Sequence, residues 1–232
     1  MKKLIQLELE RINLRPYFMS SAIFGIVQLV FTYFVAYVAQ VEQEVQFMNY
    51  ENIFLFTGAI STFLFGVLSA TMYARLIVEE YSGKRLALVF SYPVGRQKTF
   101  IAKVLIVLLF VILSMLLCTM LSIGIFALTE TFSPIVSDVM TWDILITAFS
   151  NMLVSLVAVS AIGLLSMRIG FIKKSISATL ISAFILSGIY GNIAISSVGN
   201  LAISLIIVGV TLLVILVILV TLSRKINQME VE

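Results

Sequence analysis

All fifteen Lys and Arg residues fall on one side of a pattern of six apolar runs, and that single fact constrains the fold more than any other. They sit in the N-terminus (Lys2, Lys3, Arg11, Arg15), in the loop after the second run (Arg75, Lys84, Arg85, Arg96, Lys98, Lys103), in the loop after the fourth (Arg168, Lys173, Lys174) and in the tail (Arg224, Lys225). The other loops hold carboxylates instead: Glu42, Glu44, Glu51, Glu130, Asp138 and Asp143. Fifteen cations against the remaining six acids leave +9 on one face and −6 on the other, which accounts for the formal +3. Such a bias is the positive-inside pattern of a multi-pass membrane protein and predicts a chain in the cell membrane with both termini cytoplasmic.

A bilayer core of about 30 Å takes roughly 20 helical residues. Six runs meet that length, at about 17–39, 53–78, 101–128, 143–167, 175–195 and 201–223. The expected fold is all-α and integral to the membrane, with residues 1–232 forming a single transmembrane domain. With 61% apolar residues and a mean hydropathy of +1.13, a soluble surface is excluded. The basic residues flank the spans and so read as topology signals beside anionic lipid, with no role in nucleic-acid binding. The first run lacks a small-residue cleavage site and is expected to be retained. Residues 190–200, with Gly191-Asn192 and Gly199-Asn200, read as an outer turn or a partly re-entrant element.

Ahead of the first span, residues 1–16 place Ile5, Leu9 and Ile12 in a stripe at helical spacing, flanked by Glu8, Arg11 and Arg15, and predict an amphipathic helix on the inner leaflet. Pro16 suits the bend into the span. A merely basic topology tail is the alternative.

Polarity on the inner face concentrates in residues 79–98. Glu79 and Glu80 close a helix whose macrodipole they oppose, so they need cations, and Arg75, Lys84 and Arg85 are within local reach. Gly83 permits a turn, Lys84 to Tyr92 is long enough for two helical turns, and Pro93 ends them. A short surface helix carrying Leu86, Leu88, Val89, Phe90 and Tyr92 is too short to span and too apolar to face water alone. It must dock on lipid, on neighbouring helices or on a partner.

These residues carry a resemblance. Glu79-Glu80-Tyr81-Ser82-Gly83-Lys84-Arg85 running to Phe90-Ser91-Tyr92-Pro93 is similar to the corner and coupling helix of ABC-2-type ABC transporter permeases, in particular the small permeases of Gram-positive exporters of bacitracin, lantibiotics or peptide toxins. The resemblance extends to the whole architecture: a surface helix, six spans, and a cytoplasmic coupling helix between spans two and three. It implies that Lys84 to Tyr92 fits a cleft of a separate ATPase subunit, with Leu86, Phe90, Tyr92 and Pro93 in the coupling element and Glu79, Glu80 and Tyr81 at its anchoring corner. It also implies that ATP and Mg are held by that partner and that this chain holds no cofactor.

Chemistry of the enzymatic kind is excluded by inventory. The chain has no histidine and one cysteine, Cys118, inside an apolar run, so neither a zinc site nor a disulfide framework is available. Ser82-Gly83-Lys84 ends like a phosphate loop, but Val78 stands where its first glycine belongs. The span interiors carry no formal charge, which disfavours proton- or ion-coupled transport, although sites built of hydroxyls and carbonyls stay open, as does a non-transporting scaffold. Uncharged, aromatic-rich spans suit a lipophilic or amphipathic cargo, with peptides first and drugs or lipids next. Six helices are too few to enclose a route, so two identical or similar permease subunits with two ATPase subunits are expected.

Ladders of small residues, Gly58/Thr62/Gly66/Ala70, Ser114/Cys118/Ser122 and Ser175/Thr179/Ala183/Ser187/Gly191, read first as helix-packing seams and second, with Asn151, as walls of a cargo route.

Overall fold

The computed structural model of this chain describes residues 2–42, 49–80, 96–136, 138–196 and 201–227. Among them every regular element is helical: α1 (Lys2–Arg11), α2 (Arg15–Glu42), α3 (Tyr50–Tyr73, running on as a π-turn over Ala74–Val78), α4 (Arg96–Phe132), α5 (Trp142–Lys173), α6 (Ile176–Ser196) and α7 (Leu201–Asn227). Four stretches are long and apolar enough to cross a membrane: Arg15–Val41, Tyr50–Val78, Gln97–Phe132 and Trp142–Lys173. Among the described residues α6 and α7 contribute shorter apolar stretches, Ile176–Gly191 and Ile206–Leu222.

The helices outrun the apolar stretches chiefly where cations stand. The third span, expected at 101, begins at Arg96, and the fourth, expected to stop at 167, continues to Lys173. Backbone hydrogen bonding does not end where hydrocarbon does, and a cation in a last helical turn favours the macrodipole. The 37 residues of α4 make a rod of about 55 Å, well over the bilayer core.

Helix α3 is the hub and packs against α2, α4, α5 and α6, while α7 closes on α4 and α5. One apolar core, with Phe65, Met72, Tyr73, Phe100, Met115, Leu164 and Ile218, occupies the centre and the basic end. A second core at the acidic end is aromatic: Phe126 meets Tyr33, Tyr50 and Phe54 edge-on at 5.3, 6.3 and 6.0 Å. Outward faces of α2 and α4 expose Phe18, Ile26, Phe34, Leu113, Leu117 and Leu121, as lipid-facing helices do.

Small residues set the closest approaches. A Cβ on Gly66 would stand 2.8 Å from the Ser187 hydroxyl, and one on Gly163 or Gly170 would overlap the Ser69 or Thr179 hydroxyl. Gly58, Gly66, Thr179, Ala183 and Ser187 of the expected ladders thus lie in helix contacts among α3, α5 and α6. The α5–α6 connection is a tight turn. Lys174 takes a left-handed conformation (φ 48°), the Ser175 N–H returns to the Gly170 carbonyl at 3.1 Å, and the Ser175 hydroxyl accepts the Ala178 N–H at 3.3 Å. On the other side of this pair, α6 is helical through Ser196, and residues 197–200 of the expected turn lie outside the described residues.

Candidate functional site at the basic end

Helix α3 reaches the basic end through one wide turn, in which the Glu79 N–H bonds the Ala74 carbonyl at 2.9 Å. Single π-turns of this kind redirect the chain beyond them. Here the turn delivers Glu80, the last described residue before segment 81–95, to the side of α4.

Glu80 is held by cations from other helices. Its Oε2 accepts a hydrogen bond from the Lys103 ammonium of α4, and its Oε1 lies 3.9 Å from the Arg11 guanidinium of α1. Lys103 is only 3% exposed, and the same ammonium stands 3.7 Å from Glu8 Oε2 of α1. Two cations and two carboxylates from three elements therefore form one neutral cluster. Ile77, Val78, Phe100 and Val104, close to Glu80 and Lys103 along the chain, belong to the central apolar core. At 3.7 Å the contact to Glu8 is an ion pair without a hydrogen bond, and that buried carboxylate oxygen has no hydrogen-bond partner.

The surface helix is consequently built differently from its expected stripe. Leu4, Ile5, Glu8 and Ile12 turn inward, whereas Leu9 is 41% exposed. Glu8 breaks the apolar pattern because it faces Lys103. The signal for Lys103 was present in the sequence, as a lone cation in Phe100-Ile101-Ala102-Lys103-Val104, since a charge on an apolar helix face requires a partner. Its partners lie 23 and 95 residues upstream and carry no local signature. Of the expected coupling residues, Glu79 and Glu80 are described and Glu80 stands at this cluster, while Tyr81, Lys84, Arg85, Leu86, Phe90, Tyr92 and Pro93 lie outside the described residues.

Two further polar features have no local signature in the sequence. Midway along the bundle, Gln28 of α2 donates to Thr119 of α4 at 3.2 Å, Thr119 meets Ser61 of α3 at 2.9 Å, and Thr32 meets Thr57 at 3.0 Å, all buried. Hydroxyls that also bond their own helix backbone, as Thr32 and Thr57 do, satisfy themselves cheaply in an apolar medium. At the acidic end Glu130 belongs to α4 instead of a loop and is 5% exposed. Its carboxylate accepts from the Tyr50 hydroxyl at 2.7 Å, the Ile135 N–H at 3.1 Å and the Val136 N–H at 3.3 Å. Outside the bundle, a groove of about 430 Å³ runs between α2 and α4, floored by Gly25, Cys118 and Ser122 and walled by Ile26, Leu117 and Leu121. Its lining is almost wholly apolar, so it offers no site for a charged solute.

Comparison with known proteins extends these observations. The family model described as ABC-2 family transporter protein matches residues 4–188, from α1 into α6. The chain is 24% identical over 183 residues to the uncharacterized protein YcbO of Bacillus subtilis (strain 168), covering 79% of this chain and 80% of that protein. No solved structure matches.

Proposed function

This chain belongs to the ABC-2 family of transporter proteins, and on that premise we propose that it is the membrane-spanning permease subunit of an ATP-driven exporter. In this reading its six apolar helices span the cell membrane with the basic end and both termini in the cytoplasm. A separate subunit holds ATP and Mg and docks on the coupling segment, residues 79–98. The observation that carries the reading is the neutral cluster of Glu80, Lys103, Glu8 and Arg11 at the point where the chain leaves α3 for that segment. A loop with no mechanical duty does not need four charges from two helices and the turn after α3 at its root.

Cargo is inferred from what the spans lack. The described interior of the bundle offers hydroxyls, one glutamine and apolar walls, and its buried charges stand at the two ends. An amphipathic peptide, above all an antimicrobial one, is the preferred cargo, because a strongly charged solute would require countercharges at membrane depth. Lipophilic drugs and lipids are the next class. Two copies of the subunit, or this chain with a similar one, enclose the route.

Purification of the tagged chain from native membranes tests the premise. Recovery of a soluble subunit with a Walker-type ATP site in about equal amount is expected. Recovery of the chain alone, under conditions that preserve other such complexes, overturns it. Replacing Phe90 and Tyr92 with Ala then tests the docking element: loss of the ATPase with insertion intact is expected, and normal association excludes that role.

A further inference from the structure

We propose that Lys103 is a positioning residue that makes the surface helix α1 travel as one body with the root of segment 81–95, with Glu8 as the arm by which α1 is held. The inference rests on the reading of that segment given above and adds to it a role for α1.

Connectivity carries the first step. Glu80 is the last residue before the segment and Lys103 lies in the second turn of the helix after it. Their hydrogen bond ties the exit from α3 to the entry of α4 whatever lies between. The second step is that the same ammonium faces Glu8, and that α4 is the helix against which α1 chiefly packs. Apolar burial alone holds α1 poorly, since Leu7 is 63% exposed and only Leu4, Ile5 and Ile12 turn inward. Sliding α1 along its axis by one helical rise, about 1.5 Å, would keep most of that apolar contact but would pull Glu8 off Lys103. The ion pair therefore fixes the register of α1, and a displacement of Glu80 is transmitted through one buried ammonium.

The two arms are unequal. Lys103 is hydrogen-bonded to Glu80 but stands 3.7 Å from a Glu8 oxygen that has no hydrogen bond. Arg11 bridges the rim to Glu80 at 3.9 Å with its side chain half in water. The Glu8 arm is the weaker of the two and is the place where α1 separates first.

Spin labels at Leu7→Cys on α1 and Ile172→Cys on α5, in a Cys118→Ser background of the full chain in lipid nanodiscs, read the position of α1 by pulsed dipolar spectroscopy. Both positions are exposed. A single narrow distance peak is expected, kept by Lys103→Arg and lost in Glu8→Gln and in Lys103→Met. Glu8→Gln leaves the Lys103–Glu80 bond in place, so it reports on α1 even if Lys103→Met folds poorly. Narrow peaks in Glu8→Gln and Lys103→Met overturn the proposal. In the complex with the co-purified ATPase, MgATP with vanadate is expected to move the peak as a whole in the parent protein and to leave the α1 distance of Glu8→Gln unresponsive. An equal response in Glu8→Gln overturns the transmitting role. Absence of any ATPase in the purification defeats the permease reading instead, and the nanodisc distances still decide whether Lys103 holds α1.

Discussion

The two ends of this bundle each bury carboxylates, and they keep them by different means. At the basic end Glu80 and Glu8 share the Lys103 ammonium, with Arg11 at the rim. At the acidic end Glu130, buried like Glu8 and more deeply than Glu80, is held by a phenol and two backbone N–H groups. The difference descends from the one-sided distribution of cations. A chain whose fifteen Lys and Arg all lie to one side of its apolar runs has none to spare for its other face, so a buried acid there must use neutral donors. It also divides the labour. Three elements meet in the basic cluster, whereas Glu130 bonds the first turn of α3 and a loop only five and six residues further along its own chain.

The contrast breaks most sharply at Lys103. Lys103→Met leaves two carboxylates without their cation and is expected to cost on the order of 3 kcal/mol, the scale of a broken buried pair. The damage is uncompensated charge. Adding Glu8→Gln and Glu80→Gln to Lys103→Met is therefore expected to recover more than half of the loss in denaturant titrations of the purified chain. A triple variant as unstable as the single one shows that the cluster is held by shape and not by charge.

Glu130→Gln is expected to be milder, about 1.5 kcal/mol, because one acceptor survives while the amide turns a donor toward the Ile135 N–H. Here no second substitution that removes charge restores stability, since no cation is left behind. A gain in stability on neutralising Asp138 in the parent protein, where its Oδ2 accepts the Tyr50 N–H at 3.3 Å, would mean that the acidic end is limited by repulsion after all.

How far such features could be read in advance depends on the range of the interaction. Six apolar runs announced their helices because hydropathy is written residue by residue, and the small-residue spacing in α3 and α6 announced contacts such as Gly66 on Ser187. Gly163 and Gly170 carry no such spacing signal, since their partners Ser69 and Thr179 are specified only by how α5 lies against α3 and α6. For Glu80 the local sequence offers Arg75, Lys84 and Arg85 as cations, whereas Lys103 and Arg11 come from other helices. Glu130 reads as a loop carboxylate in the sequence because its donors are backbone N–H groups, which every residue but proline possesses. Family-level resemblance in residues 79–93 agrees with the family model over 4–188, yet the cargo has no counterpart in either.

Tyr50→Phe sharpens the acidic side further. The ring keeps its place against Phe126 and Phe54, and only the hydroxyl bond to Glu130 is lost. A cost of about 1 kcal/mol is expected, and Glu130 retains the N–H groups of Ile135 and Val136. If Tyr50→Phe costs as much as Glu130→Gln, the phenol alone holds the carboxylate and the backbone donors contribute little.

Arg11→Gln should have the smallest effect, and its size tests where the basic cluster stops. The Arg11 side chain is 53% exposed and reaches Glu80 at 3.9 Å, beyond hydrogen-bonding distance, so water and salt screen the pair. A loss of about 0.5 kcal/mol or less is expected at low salt, vanishing as ionic strength rises past the point where the Debye length falls to a few ångströms. Lys103→Met, with its ammonium buried, is expected to keep its full cost under the same salt. Two residues that touch the same carboxylate would then differ several-fold in cost and in salt response, because burial, more than the count of ion pairs, decides what a charge contributes. A salt-resistant loss in Arg11→Gln as large as that of Lys103→Met would instead make the four charges a single cooperative unit and would extend the anchoring of α1 from Glu8 to the end of the helix.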